Sequence, residues 1–62
     1  MTQPKQFLYK TAFSPQFNCF VAIDRVWQDF SGEWIYSCSF KDDGVLFEDY
    51  LFRGSDLTNF VL

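Results

Sequence analysis

The sequence predicts an all-β domain: five strands closed into a small barrel, with one short 3-10 turn before the last strand. Three observations carry that expectation. In Trp34-Ile35-Tyr36-Ser37-Cys38-Ser39-Phe40 the large residues alternate with serines, the period-two signature of a half-buried strand. Two glycine turns, Ser31-Gly32 and Asp43-Gly44, bracket that segment and make it the middle strand of a meander. Nine Phe, three Tyr and two Trp among 62 residues give the aromatic-rich core that so short a chain requires. A domain of this size buries only ~60% of the surface its unfolded form exposes, and each aromatic contributes ~150–250 Å².

Residues 1–6 are polar, contain Pro4 and are expected to form a flexible N-terminus; residues 7–62 form the single domain. Phe7, Tyr9, Thr11 and Phe13 share a face at a period of two, so a strand is expected over 7–13. Ser14-Pro15-Gln16 then turns the chain, because proline presets φ for a turn.

Residues 17–30 support two readings. As a strand over 18–28, Cys19, Val21 and Ile23 alternate, and the phase slip near Asp24-Arg25 calls for a β-bulge before Val26. As a helix over 15–30, Cys19, Phe20, Ile23, Val26, Trp27 and Phe30 share one side of a wheel. Ser14 would cap that helix and Gly32 would end it. The segment is poor in helix formers. The alternative fold class is accordingly α+β, helix 15–30 packed on a three-stranded antiparallel sheet.

The middle strand is expected over 33–41 and the next over 45–52. With Asp43-Gly44 as the loop, Asp42 faces Val45, Phe40 faces Phe47 and Tyr36 faces Leu51. That register sets Asp49 opposite Cys38, and a loop one residue longer sets Glu48 there. Since an acid falls near the inner face either way, a bulge or a sheet edge is expected. Ser55 caps a single turn at 55–57 that returns Leu57 to the core. A short strand over 59–62 closes the chain.

This layout resembles the SH3-like small barrels of the Tudor and KOW kind. The resemblance rests on Val26-Trp27, Gly32-Glu33-Trp34-Ile35-Tyr36, Phe40, Asp43-Gly44 and Ser55-Asp56-Leu57, and covers about two-thirds of the chain. Similar short chains occur among bacterial proteins. Many such barrels carry a Gly-Asp pair near the first strand, where this chain reads Tyr9-Lys10-Thr11-Ala12-Phe13.

Composition narrows the function classes. The formal charge is −3 and the five basic residues are scattered in sequence, which argues against general nucleic-acid binding and against docking on an anionic membrane. The N-terminal residues hold no apolar run of signal-peptide length, so a cytoplasmic protein is expected, with Cys19 and Cys38 as buried thiols and no disulfide. The chain has no histidine, and neither cysteine has a basic neighbour in sequence, so no enzyme, metal site or cofactor is expected. Asp42-Asp43-Gly44 lacks the twelfth-position ligand of a calcium loop and is read as a turn. Glu48 and Asp49 point to opposite faces of a strand, which separates them as a carboxylate pair.

Binding remains. Tyr9, Trp27, Trp34 and Tyr50 are the candidate contact rings, because Tyr and Trp tolerate half-exposure and dominate interfaces. Asp29 and Glu33 beside the tryptophans suit a basic or proline-rich protein or peptide partner. A small-barrel nucleic-acid binder that stacks bases on exposed rings is the alternative, and a subunit that pairs with its own copy is a third reading.

Overall fold

The computed structural model describes residues 4–62. Half of the expected flexible N-terminus, residues 1–3, lies outside the described residues. Pro4–Phe7 form a 3-10 turn, followed by β1 (Thr11–Ser14), β2 (Cys19–Gln28), β3 (Trp34–Asp42) and β4 (Val45–Arg53). A second 3-10 turn, Gly54–Asp56, leads into β5 (Thr58–Val61). All five strands belong to one antiparallel sheet in the order β4-β3-β2-β1-β5. The fold is all-β, as the sequence indicates, and no α-helix occurs among the described residues, so the helix over 15–30 does not form.

The sheet does not close into a barrel. Closure requires its two end strands to pair. Here β4 and β5 are those ends, and the four-residue β5 makes its ladder with β1 alone. The gap between them is filled by side chains. Leu57 is buried at the foot of the second 3-10 turn, and the Phe60 ring packs on Phe7 and Tyr36 at 4.7 and 5.4 Å.

Strand β1 starts four residues later than the period-two pattern suggests. The Leu8 amide donates to the Lys5 carbonyl and the Lys10 amide to the Phe7 carbonyl, which coils the chain, and Tyr9 adopts a positive φ of 65°. The extended pattern is not wholly lost. The Tyr9 amide donates to the Ile23 carbonyl and the Ile23 amide to the Lys10 carbonyl, both at 2.8 Å, so this segment already borders β2. The cap expected from Ser55 comes instead from Asp56, whose Oδ2 accepts the Arg53 amide at 3.0 Å.

Both anticipated irregularities occur. The β2–β3 register shifts between Ile23 and Arg25, leaving Asp24 as the extra residue of a bulge. The β3–β4 register shifts where Cys38 pairs with Tyr50 and Phe40 with Phe47. Two residues, Glu48 and Asp49, oppose the single Ser39, and Asp49 takes a φ of 54°. This bulge lifts both acids off the inner face and moves the register by one. Tyr36 therefore faces Phe52 rather than Leu51, and Tyr50 rather than Asp49 stands opposite Cys38.

The core occupies the inner face: Ala12, Val21, Ile23, Tyr36, Cys38, Phe40, Phe52 and Leu57 are buried. The β1–β2 loop adds a plug. Phe17 stands 4.7 Å from Phe40, 5.2 Å from Tyr50 and 6.1 Å from Phe52, ring centre to ring centre. Ser14 anchors that loop, its Oγ accepting the Phe17 amide at 3.3 Å. Cys19 and Cys38 are free thiols. Burial, followed by the nearby Asp24 carboxylate, pushes the Cys38 thiol up to about 12.

Candidate functional site

The β2–β3 hairpin is the first place to look, because four of the six candidate residues lie in or beside it. Phe30-Ser31-Gly32 form its loop, closed by Asp29 and Glu33. The Gly32 amide donates to the Asp29 carbonyl at 3.1 Å and the Asp29 amide to the Glu33 carbonyl at 2.9 Å. This is a three-residue hairpin loop with its last residue at positive φ, which glycine adopts without a Cβ clash; Gly32 has a φ of 89°.

Asp29 staples the loop from within. Its Oδ1 accepts the Ser31 hydroxyl at 2.6 Å, the Ser31 amide at 2.9 Å and the Glu33 amide at 3.0 Å. The Ser31 hydroxyl, together with these amides and the Arg53 charge, holds the Asp29 carboxyl below its ordinary value. A carboxylate so engaged is a turn-forming group rather than a free receptor for a partner's cation.

The ladder then divides the rings. Trp34 lies in register with Gln28 and packs against the core, half-buried. Trp27, one residue earlier on the facing strand, pairs with Ile35 and by alternation points to the outer face. The two tryptophans are neighbours along the hairpin and sit on opposite sides of it. Tyr50 is part of the inner aromatic cluster, 4.9 Å from Phe52 and 5.6 Å from Phe40. Tyr9 stands apart beside Ile23, its side chain 79% exposed. Asp29 and Glu33 are brought together, but the four rings do not form one surface.

What the fold does assemble is an outer face that sequence reasoning did not single out. A sheet with one packed face and one solvated face normally shows polar residues outside. Here the outer positions include Phe13, Phe20, Trp27, Ile35, Leu46 and Leu51. Phe13 and Phe20 pair across β1 and β2 with ring centres 5.3 Å apart. Phe20, Leu46 and Leu51 remain 54%, 55% and 54% exposed, and Phe30 at the hairpin tip is fully exposed. A signal for β4 lay in its consecutive apolar residues, Val45-Leu46-Phe47 and Tyr50-Leu51-Phe52, which put apolar groups on both faces of the strand.

The polar groups of this face are as specific. Arg25 lies beside Trp27, its guanidinium carbon 5.6 Å from the ring centre, and reaches across β3 to within 3.7 Å of Asp49 on β4. Ser37 lies in register between Arg25 and Leu51. Although it is on the outer face it has no solvent exposure, and its buried Oγ has no hydrogen-bond partner.

Among the described residues no group of three His, Cys, Asp or Glu side chains is placed to hold a metal ion, and no helix is long and apolar enough to cross a membrane. The structure defines a small all-β protein: one five-stranded antiparallel sheet with a packed inner face and an apolar outer face. No protein-family model matches the chain, and neither a curated protein nor a solved structure is significantly similar to it.

Proposed function

We propose that this chain is a non-catalytic, cytoplasmic protein-binding or accessory module that presents the outer face of β2, β3 and β4 to a protein or peptide partner. The observation that carries the reading is the break in alternation: Phe20, Trp27, Leu46 and Leu51 stand where a solvated sheet face would be polar. The meander, with a single 3-10 turn delivering Leu57 before β5, supports an SH3-like layout of the Tudor and KOW kind.

The test is affinity capture from the source cell with three baits: the native chain, Leu51→Lys on the outer face, and Asp43→Asn in the β3–β4 turn. Proteins retained by the native and Asp43→Asn baits are expected to be lost with Leu51→Lys. Equal recovery by all three overturns the reading.

Single-stranded nucleic acid is the second reading. It is favoured by Arg25, Lys41 and Arg53 sharing the outer face with Trp27. Arg25 is already paired with Asp49 and Phe20, Trp27, Leu46 and Leu51 make much of the face apolar, which suits a protein better. A mobility shift at low salt that disappears as salt rises would favour the nucleic acid.

A further inference from the structure

Building on the outer-face reading, we propose that the partner seated on this face is a second copy of the same chain, docked about a twofold axis so that Arg25 of each copy meets Asp49 of the other.

The face contains its own charge complement. Arg25 on β2 and Asp49 on β4 straddle β3, with their side chains 65% and 75% exposed. Beside them lie the apolar groups Trp27 and Ile35, paired across β2 and β3, and Leu51, one row on in the row of Arg25 and Ser37. A twofold interface requires that residue i of one copy meet residue j of the other, and j meet i. An axis running along β3, parallel to the face, exchanges the β2 and β4 sides. It carries Arg25 of one copy over the Leu51–Asp49 stretch of its partner, within reach of the Asp49 carboxylate, while laying Ile35 against its counterpart.

Within one chain the two charges are held loosely. At 3.7 Å the contact is longer than a hydrogen bond, and exposed pairs of this kind contribute little to stability. Exchanging the partner therefore sacrifices little, and the exchanged pair would be shielded from solvent by the second sheet.

Charge also argues against other occupants. Arg25 is matched by Asp49, and Arg53 lies near enough to Asp29 to lower its carboxyl, which leaves Lys41 at the β3–β4 turn end of the face. The face thus selects neither a strongly acidic nor a strongly basic chain. It selects a mixed surface like itself.

The other route to self-association is obstructed. Edge-to-edge pairing needs a regular, unpaired strand, and the β4 edge is broken midway by the Glu48–Asp49 bulge, a device that blunts edges. The β5 edge offers only four residues, with Asn59 at a φ of 49°.

Charge reversal in trans tests the proposal. Sedimentation equilibrium of the native chain is expected to show a concentration-dependent dimer. Arg25→Asp and Asp49→Arg, each confirmed as folded by circular dichroism, are each expected to weaken that dimer at least about tenfold, because like charges then face each other. An equimolar mixture of the two variants is expected to restore dimerisation, since every exchanged pair is again of opposite sign. Native dimers with no restoration in the mixture overturn the proposal. If a charge variant does not fold, Leu51→Lys replaces it: a monomer is expected, and an unchanged dimer overturns the proposal.

A native chain that stays monomeric at millimolar concentration also overturns it. In that case the outer-face reading survives if Leu51→Lys still abolishes capture of another protein, and falls with it if capture is unchanged.

Discussion

Leu51 and Phe52 are adjacent on β4 and meet opposite fates. Phe52 turns inward, 2% exposed, with Phe40, Tyr50 and Phe17 around its ring; Leu51 turns outward beside Ser37 and stays more than half exposed. The same contrast runs along β3, where Cys38 is enclosed by core and Ser37 faces outward between Arg25 and Leu51. Apolar residues on the inner face hold the sheet together. Those on the outer face contribute little to folding, and in the proposed function they serve a partner. Residue type does not distinguish the two roles; the direction of the side chain does.

The largest expected effect breaks the inner side of this contrast. Phe52→Ala removes a buried ring from a five-membered aromatic cluster and is expected to cost ~3–5 kcal/mol. A domain of this size has about that much stability in total, so the variant should be unfolded at room temperature by circular dichroism. Leu51→Ala on the outer face should stay within about 0.5 kcal/mol of the native chain in the same urea titration.

A smaller effect concerns pH. The folded state holds the Cys38 thiol protonated up to about 12, against an ordinary value of 9.0. Above the ordinary value the unfolded chain loses this proton while the folded chain keeps it. Stability therefore falls as pH rises through 9 and stops falling from this cause near 12. Cys38→Ala, compared with the native chain across that range, should show a shallower loss. In the folded chain a thiol reagent should label the partly exposed Cys19 and reach Cys38 only on unfolding.

The smallest effect sharpens the outer side. Ser37 buries a hydroxyl without a partner, an arrangement that costs free energy compared with an apolar group of similar shape. Ser37→Ala should leave stability unchanged or raise it by up to about 1 kcal/mol, measured by thermal melting. A clear loss would mean that the hydroxyl is satisfied in solution and that the outer face is packed differently around Arg25.

Local chemistry determined a good deal of this protein. The period-two run from Trp34 to Phe40 determined β3, because alternation leaves a strand one way to bury its apolar side. Ser31-Gly32 and Asp43-Gly44 determined the two reversals, since Gly32 and Gly44 sit at φ values of 89° and 78° that favour glycine. The slip at Asp24 and the acids at Glu48-Asp49 announced both bulges, because the inner face has no place for an unpaired carboxylate.

Tertiary structure decided the rest. Whether residues 17–30 formed strand or helix turned on having β1 and β3 on either side, as intrinsic propensity and wheel position pulled in different directions. The open sheet followed from β5 pairing with β1 alone, and the period-two face of Phe7 and Tyr9 gave way to a 3-10 turn ending at Phe7 and a positive φ at Tyr9. The division of Trp27 from Trp34, the engagement of Asp29 inside its loop and the bridge from Arg25 to Asp49 each depend on register between strands. Register is a long-range property: a one-residue bulge changes which side chains meet, and no local pattern records the result.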